Sequence, residues 1–176
     1  MNREGFTLWF TGWSGSGKTT LAVAVEEELR RQGLKNVQRL DGDIVREDLT
    51  RDLGFSKKDR DENIRRVTFV AELLSRNGVA TLVSFISPYR KARDNARRRC
   101  RNFIEVFVRC DQETLVSRDV KGLYKKAIKG EIENFTGVSD PYEEPLNPEI
   151  VVDTARQSIG ESRDEILLYL RDHGLI

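Results

Sequence analysis

Gly12-Trp-Ser-Gly-Ser-Gly-Lys18-Thr19 spells G-x-x-x-x-G-K-T, and no other stretch of the chain restricts the fold as much. Before it runs Phe6-Thr-Leu-Trp-Phe-Thr11, an apolar, aromatic and β-branched segment that reads as a buried strand. After it, Lys18 to about Arg31 favours helix, with Gly33 as the stop. Strand, glycine loop and helix in that order make a phosphate cradle, the P-loop. Glycine lets backbone N–H groups turn inward around a polyphosphate, and the helix N-terminus adds its positive dipole end. Lys18 reaches the β and γ phosphates, and the Thr19 hydroxyl suits Mg²⁺. Gly12, Trp13, Ser14, Gly15, Ser16, Gly17, Lys18 and Thr19 are thus the candidate ATP-binding residues, with Lys18 also catalytic and Thr19 also a metal ligand.

Further along, strands and helices alternate. Strands are expected at Val37–Leu40, Val79–Val83, Phe103–Val108 and Glu149–Val152. Val79–Val83 shows no polar alternation, so both of its faces should be covered. Ser56 is expected to cap a helix whose inward positions include Ile64, Val67, Ala71 and Leu74, ending at Asn77-Gly78. A polar, Arg-rich helix should follow from about Lys91, and a last helix should run from about Glu161 to His173. This order implies one α/β domain over 1–176, a three-layer P-loop NTPase fold with a five-stranded parallel sheet and helices on both faces. The stretch 121–148 breaks the rhythm with glycines, three prolines and many charges, and is expected to be a mobile lid.

Bulk properties exclude several classes. Lys and Arg number 30 against 29 Asp and Glu, so nothing draws the chain to nucleic acid or a membrane surface. No apolar run approaches the roughly 20 residues of a membrane span, and the residues before Gly5 are too few and too charged for a signal peptide. Cys100 and Cys110 have no metal-ligand spacing and read as packing residues in a reduced, cytoplasmic setting. The run Arg97–Arg101 reads as a solvated charged face, and the lone His173 as a surface residue.

A P-loop alone does not separate kinases from GTPases. Asp119-Val-Lys-Gly122 spells D-x-x-G but lies well past the fourth strand, and Ser56-Lys-Lys-Asp59 lacks the asparagine of N-K-x-D. Small size, a lid and many arginines favour a kinase whose lid excludes water. Asp41-Gly42-Asp43 ends the second strand, where carboxyl ends face the ligand crevice. Asp43 is the candidate for Mg²⁺ and for accepting a proton from the attacking hydroxyl; its other reading is the N-cap of a helix beginning near Ile44. Arg46, Arg60 and Asn63 suit an anionic acceptor. Ser84 stands where many P-loop proteins carry an Asp, which shifts the Mg²⁺ role toward Asp43 and Thr19. Pro88 shapes a turn at which Ile86 and Ser87 offer groups to a ligand. Phe55 and Phe135 are either plates for a purine ring or pins for their loops.

Taken together, the P-loop, Leu40-Asp-Gly-Asp43, Asp52-Leu-Gly-Phe-Ser56, Glu62-Asn-Ile-Arg-Arg66, Phe85-Ile-Ser-Pro-Tyr-Arg90, Phe103–Val108, Lys121-Gly-Leu-Tyr-Lys-Lys126, Asn134-Phe-Thr-Gly137 and Asn147-Pro-Glu resemble the adenylylsulfate kinase family, in its order and over nearly the whole chain. One departure is Ile44, where the family commonly has Asn after D-G-D. The resemblance implies transfer of the ATP γ-phosphate to the 3′-hydroxyl of adenylylsulfate, with Mg²⁺, in a homodimer. It further implies that Asp43 lies near metal and acceptor and that Arg46, Arg60 and Asn63 hold the phosphosulfate. Phe55 and Phe135 would sandwich the adenine, Ile86 and Ser87 line its site, Lys121 reach the transferring charge, and Arg118 lie near the donor adenine. Ser87 matches the serine for which a phosphoserine intermediate has been proposed in the family; direct in-line transfer is favoured on physical grounds. Another small-molecule kinase, or a regulatory module that binds ATP without turnover, are the competing readings.

Overall fold

The structure is a computed structural model and describes residues 4–119 and 122–176. Five strands, β1 (Phe6–Thr11), β2 (Val37–Asp41), β3 (Ala80–Ser84), β4 (Phe103–Arg109) and β5 (Ile150–Asp153), form one parallel sheet in the order β2-β3-β1-β4-β5. Seven helices connect or follow them: α1 (Lys18–Arg31), α2 (Gly42–Glu47), α3 (Lys57–Arg76), α4 (Arg90–Arg99), α5 (Gln112–Arg118), α6 (Leu123–Ile128) and α7 (Ile159–Asp172). β1 is central, and successive connections leave it in opposite directions. Its carboxyl end is therefore the switch point where open parallel sheets bind ligands.

β1 is apolar on every other residue and fully buried on both faces. Phe6, Leu8 and Phe10 meet Leu21, Val25 and Leu29 of α1 and Ile166, Leu167 and Leu170 of α7. Trp9 points the other way, into Ile64, Val67 and Ala71 of α3 and Ala96 of α4. That split makes the three layers, and β3, buried along its whole length, is covered twice as expected. Ser56 caps α3 by accepting from the Asp59 N–H, and Ser158 with Glu161 closes a reciprocal capping box that starts α7 two residues before the expected position.

Two expectations need correction. The arginines at 97–101 are not simply a solvated face. Arg97 binds Glu149 and Glu105, Arg99 binds Glu72, and Arg101 binds Glu4. They staple α4 and its end to α3, β4 and the approaches to β1 and β5. Asp43, in turn, does not cap the helix after β2. That helix begins at Gly42, and Asp41 is its cap, accepting from the Asp43 N–H at 3.1 Å. The first turn closes two residues early because the cap carboxylate is the last residue of the strand. Cys100 is buried in the α3–α4 layer, and burial pushes its thiol up to about 11, so it packs rather than reacts. Among the described residues no helix is long and apolar enough to cross a membrane.

Leu82 is completely buried at the centre of the sheet. Leu82→Ala is expected to destabilise the protein by about 3 kcal/mol, whereas Ser158→Ala, which removes only the cap of α7, should cost about 1 kcal/mol. Urea midpoints at unchanged m-value check both.

Candidate active site

The cradle forms where β1 ends. Gly12 has φ +154°, and a Cβ there would lie 2.4 Å from the Val108 carbonyl of β4, so only glycine fits. The loop then turns into α1 through Gly17 in the left-handed region. Lys18 is nearly buried. Its ammonium folds back over the loop and donates to the carbonyls of Gly12 at 2.9 Å and Trp13 at 2.7 Å. The Ser16 hydroxyl is fully buried without a hydrogen-bond partner. Trp13 and Ser14 are gripped from the 121–148 stretch: Tyr124 donates to the Ser14 carbonyl at 2.8 Å, and Trp13 lies so close to Gly137 that a Cβ there would fall 2.8 Å from its ring.

Thr19, exposed to the cleft, donates to Asp41 Oδ2 at 2.8 Å and lies 3.4 Å from the Ser84 hydroxyl. The alignment follows from register. Phe10 of β1 pairs with Ser84 of β3, and Ser84 pairs with Asp41 of β2. The carboxylate missing from β3 is supplied by the next strand out. Asp41, for which the sequence suggested no role of its own, is the carboxylate that Thr19 meets. The available signal was its place as the last residue of a strand beside the one that ends in Ser84. Asp43 sits exposed in the first turn of α2, so strand and helix offer two carboxylates to one cleft. Among the described residues no three His, Cys, Asp or Glu side chains converge into a metal cage. Thr19 and Asp41 nonetheless fit Mg²⁺, a hard cation that keeps several waters and takes one or two protein oxygens beside substrate phosphates.

Arg46 and Arg60 occupy the far side. Burial, and then the neighbouring Arg60 guanidinium, lower the Arg46 pKa, with Asp43 and Asp59 acting in the opposite sense. Two cations this close to one another suit a bound anion. Arg46 also lies over the Phe55 ring, 4.6 Å from its centroid, and Phe55 is 61% exposed. Arg60 donates to the Phe55 carbonyl at 2.9 Å, to the Asn134 carbonyl and to the Thr136 hydroxyl. It thereby brings the loops carrying Phe55 and Phe135 to one guanidinium. Phe135 itself is 9% exposed and packs edge-on against Tyr124, with Leu115 and Ala127 around it. Asn63 is buried, and its Oδ1 has no hydrogen-bond partner.

The turn after β3 carries Ile86 and Ser87. The Ile86 carbonyl accepts from the Thr11 hydroxyl at 2.7 Å, which leaves the Tyr142 hydroxyl to donate to Thr11 at 2.9 Å. Ser87 is 2% exposed; its hydroxyl accepts from the Trp9 indole at 3.0 Å and donates to the Phe85 carbonyl at 3.3 Å. A hydroxyl so enclosed is a peg for the turn. Arg118, expected near the donor base, donates to the Thr154 carbonyl at 2.6 Å, and Thr154 donates to Ser16 of the P-loop at 2.8 Å. Lys121 lies outside the described residues. The D-x-x-G string has an ordinary role: Asp119 accepts from the N–H groups of Tyr124 and Lys125 and so starts α6.

Residues 4–153 match the family model for adenylylsulphate kinase. A probable adenylyl-sulfate kinase of Pseudomonas aeruginosa is 64% identical over 167 residues, which are 95% of this chain and 78% of that one. The adenylyl-sulfate kinase of Halothermothrix orenii is 58% identical over 175 residues, 99% of this chain and 94% of its own. Among solved structures, the APS kinase of Mycobacterium tuberculosis in complex with AMPPNP and APS superposes with a TM-score of 0.91 at 42% identity, covering 96% of this chain and 99% of that one. With a complete phosphate cradle, two carboxylates beside it and a pair of close arginines, the chain belongs to the adenylylsulfate kinase family.

Proposed function

We infer that the protein transfers the γ-phosphoryl group of ATP to the 3′-hydroxyl of adenylylsulfate, giving 3′-phosphoadenylylsulfate and ADP. The observation that carries this reading is the combination, in a chain of this family, of an intact P-loop with the Arg46–Arg60 pair. One anion site serves the donor and the other the acceptor.

Lys18 has first to leave the carbonyls of Gly12 and Trp13, which it now holds, for the β and γ phosphate oxygens. Thr19 and Asp41 would hold Mg²⁺, Thr19 through an oxygen lone pair while its own O–H proton stays directed at Asp41, as the present bond already arranges. The metal, when bound, offsets negative charge on the phosphate oxygens. Arg46, joined by Arg60 once Arg60 exchanges some of its bonds to Phe55, Asn134 and Thr136, orients the phosphosulfate, and the exposed Phe55 ring gives the adenine a face to stack on. Phe135, now packed on Tyr124, would leave that contact to close the place from the other loop. Asp43 accepts the proton of the 3′-hydroxyl as its oxygen bonds to the γ-phosphorus and the bond to the β-phosphate oxygen breaks. Positioned charge, rather than a covalent relay through Ser87, accounts for the chemistry. We read residues 121–148 as the lid of this single domain, because Tyr124 and Gly137 already rest on the P-loop and would shield the transfer from water.

Asp43→Asn is expected to lower kcat by on the order of a hundredfold or more while leaving affinity for a non-hydrolysable ATP analogue in place. Near wild-type turnover in that variant removes Asp43 from the chemistry. Asp41→Asn should instead raise the Mg²⁺ concentration needed for half-maximal rate by about tenfold, as lost partners of metal ligands do. A Mg²⁺ titration of the steady-state rate reads this out. A panel of hydroxyl acceptors with labelled ATP tests the substrate, and label on a different compound but none on adenylylsulfate overturns it.

A further inference from the structure

Outside the phosphate sites, Arg93 of α4 is 2% exposed and fully engaged. Its Nε donates to Glu105 Oε1 at 2.7 Å, its Nη1 to the Ser87 carbonyl at 2.6 Å and its Nη2 to the Glu143 carbonyl at 2.6 Å. The three acceptors come from β4, from the turn after β3 and from the 140–144 strap of the lid stretch. The Tyr142 ring lies beneath the guanidinium, 5.7 Å from it.

The turn needs such restraint. Ser87 has φ +41°, a conformation that a residue with a Cβ keeps only when its surroundings over-determine it. Trp9 holds its hydroxyl, Arg93 its carbonyl, and Thr11 the carbonyl of the preceding Ile86. The strap is fastened to the same turn. The Glu143 N–H donates to the Pro88 carbonyl at 2.8 Å, and the Arg90 N–H donates to the Glu143 carboxylate at 2.8 Å. Tyr89 donates to Asp140 at 2.9 Å, and Asp140 also lies 3.7 Å from Arg60. Turn and strap are therefore one unit, and Arg93 is the only side chain among those named that bonds to the main chain of both.

We propose that Arg93 is a positioning residue for the acceptor: it clamps the Ile86–Ser87 turn to the 140–144 strap, so that the wall met by adenylylsulfate is formed before the ligand arrives. This rests on the assignment of that turn to the acceptor site. The planar fork explains the residue type. A lysine ammonium is a point charge and cannot reach three acceptors fixed in a plane. Glu105 anchors the fork from the sheet and is itself held by Arg97 at 3.2 Å. A wall already ordered spares the acceptor the cost of ordering it, so the effect belongs to acceptor binding and not to ATP.

Arg93→Lys keeps the charge beside Glu105 and removes the fork. Its KM for adenylylsulfate is expected to rise about tenfold or more, with calorimetric affinity for a non-hydrolysable ATP analogue held within about twofold. Hydrogen exchange should quicken at 85–90 and 140–144 and stay unchanged at 12–19. An unchanged acceptor KM, or equal losses for acceptor and ATP analogue, overturns the proposal. If that variant does not fold, Glu105→Gln, which keeps the shape and a neutral acceptor, should give the same selective rise at about threefold; equal losses there overturn it as well. A wild-type protein that does not phosphorylate adenylylsulfate defeats the functional reading alone, and the exchange pattern then decides the clamp: selective quickening supports it and uniform quickening overturns it.

Discussion

One hydrogen bond, from Thr19 to Asp41, joins the phosphate cradle to the end of β2 and the helix that follows it. Thr19 lies in the first turn of the helix that follows the central strand. Asp41 ends β2, two strands away, and at the same time caps α2, the helix that carries Asp43 and Arg46. The positions of Asp43 and Arg46 are thus tied to the phosphate cradle through a single carboxylate. Parallel register makes the link possible, because Phe10, Ser84 and Asp41 fall on one line across the sheet. Small Ser84 leaves the gap that Asp41 reaches across.

Much of this was legible in the sequence because it is local. The P-loop is a contiguous string with its strand and helix attached, and the bounds of β1 and α1 are those the sequence predicts. Ser56 caps α3 through a bond three residues away, the range at which sequence patterns speak. What stayed hidden depends on distance along the chain. The arginines of α4 look solvated when read alone, since Glu72 and Glu149 lie 27 and 52 positions away. The contact between Thr19 and Asp41 could not be read without the neighbouring strand. The packing of Phe135 on Tyr124 and the triple use of Arg93 are likewise products of the closed fold.

The irregular stretch between α5 and β5 shows how a segment with little regular structure is kept in place. It has one short helix and an isolated bridge between Thr136 and Asp140. Its order comes from outside: Tyr124 and Gly137 on the P-loop, Arg60 on 134–136, and Arg93 on Glu143. Each tie runs to a different element, so no single loss releases the whole stretch.

The tight approach of Gly12 to the Val108 carbonyl has a bearing on how the molecule matures. The cradle has its shape only when β4 is already seated beside β1, a pairing between segments nearly a hundred residues apart in sequence. The pocket takes its final shape together with the β1–β4 pairing. Cellular ATP therefore engages finished molecules alone and draws the folding equilibrium toward them by mass action, acting as a stabiliser as well as a reactant.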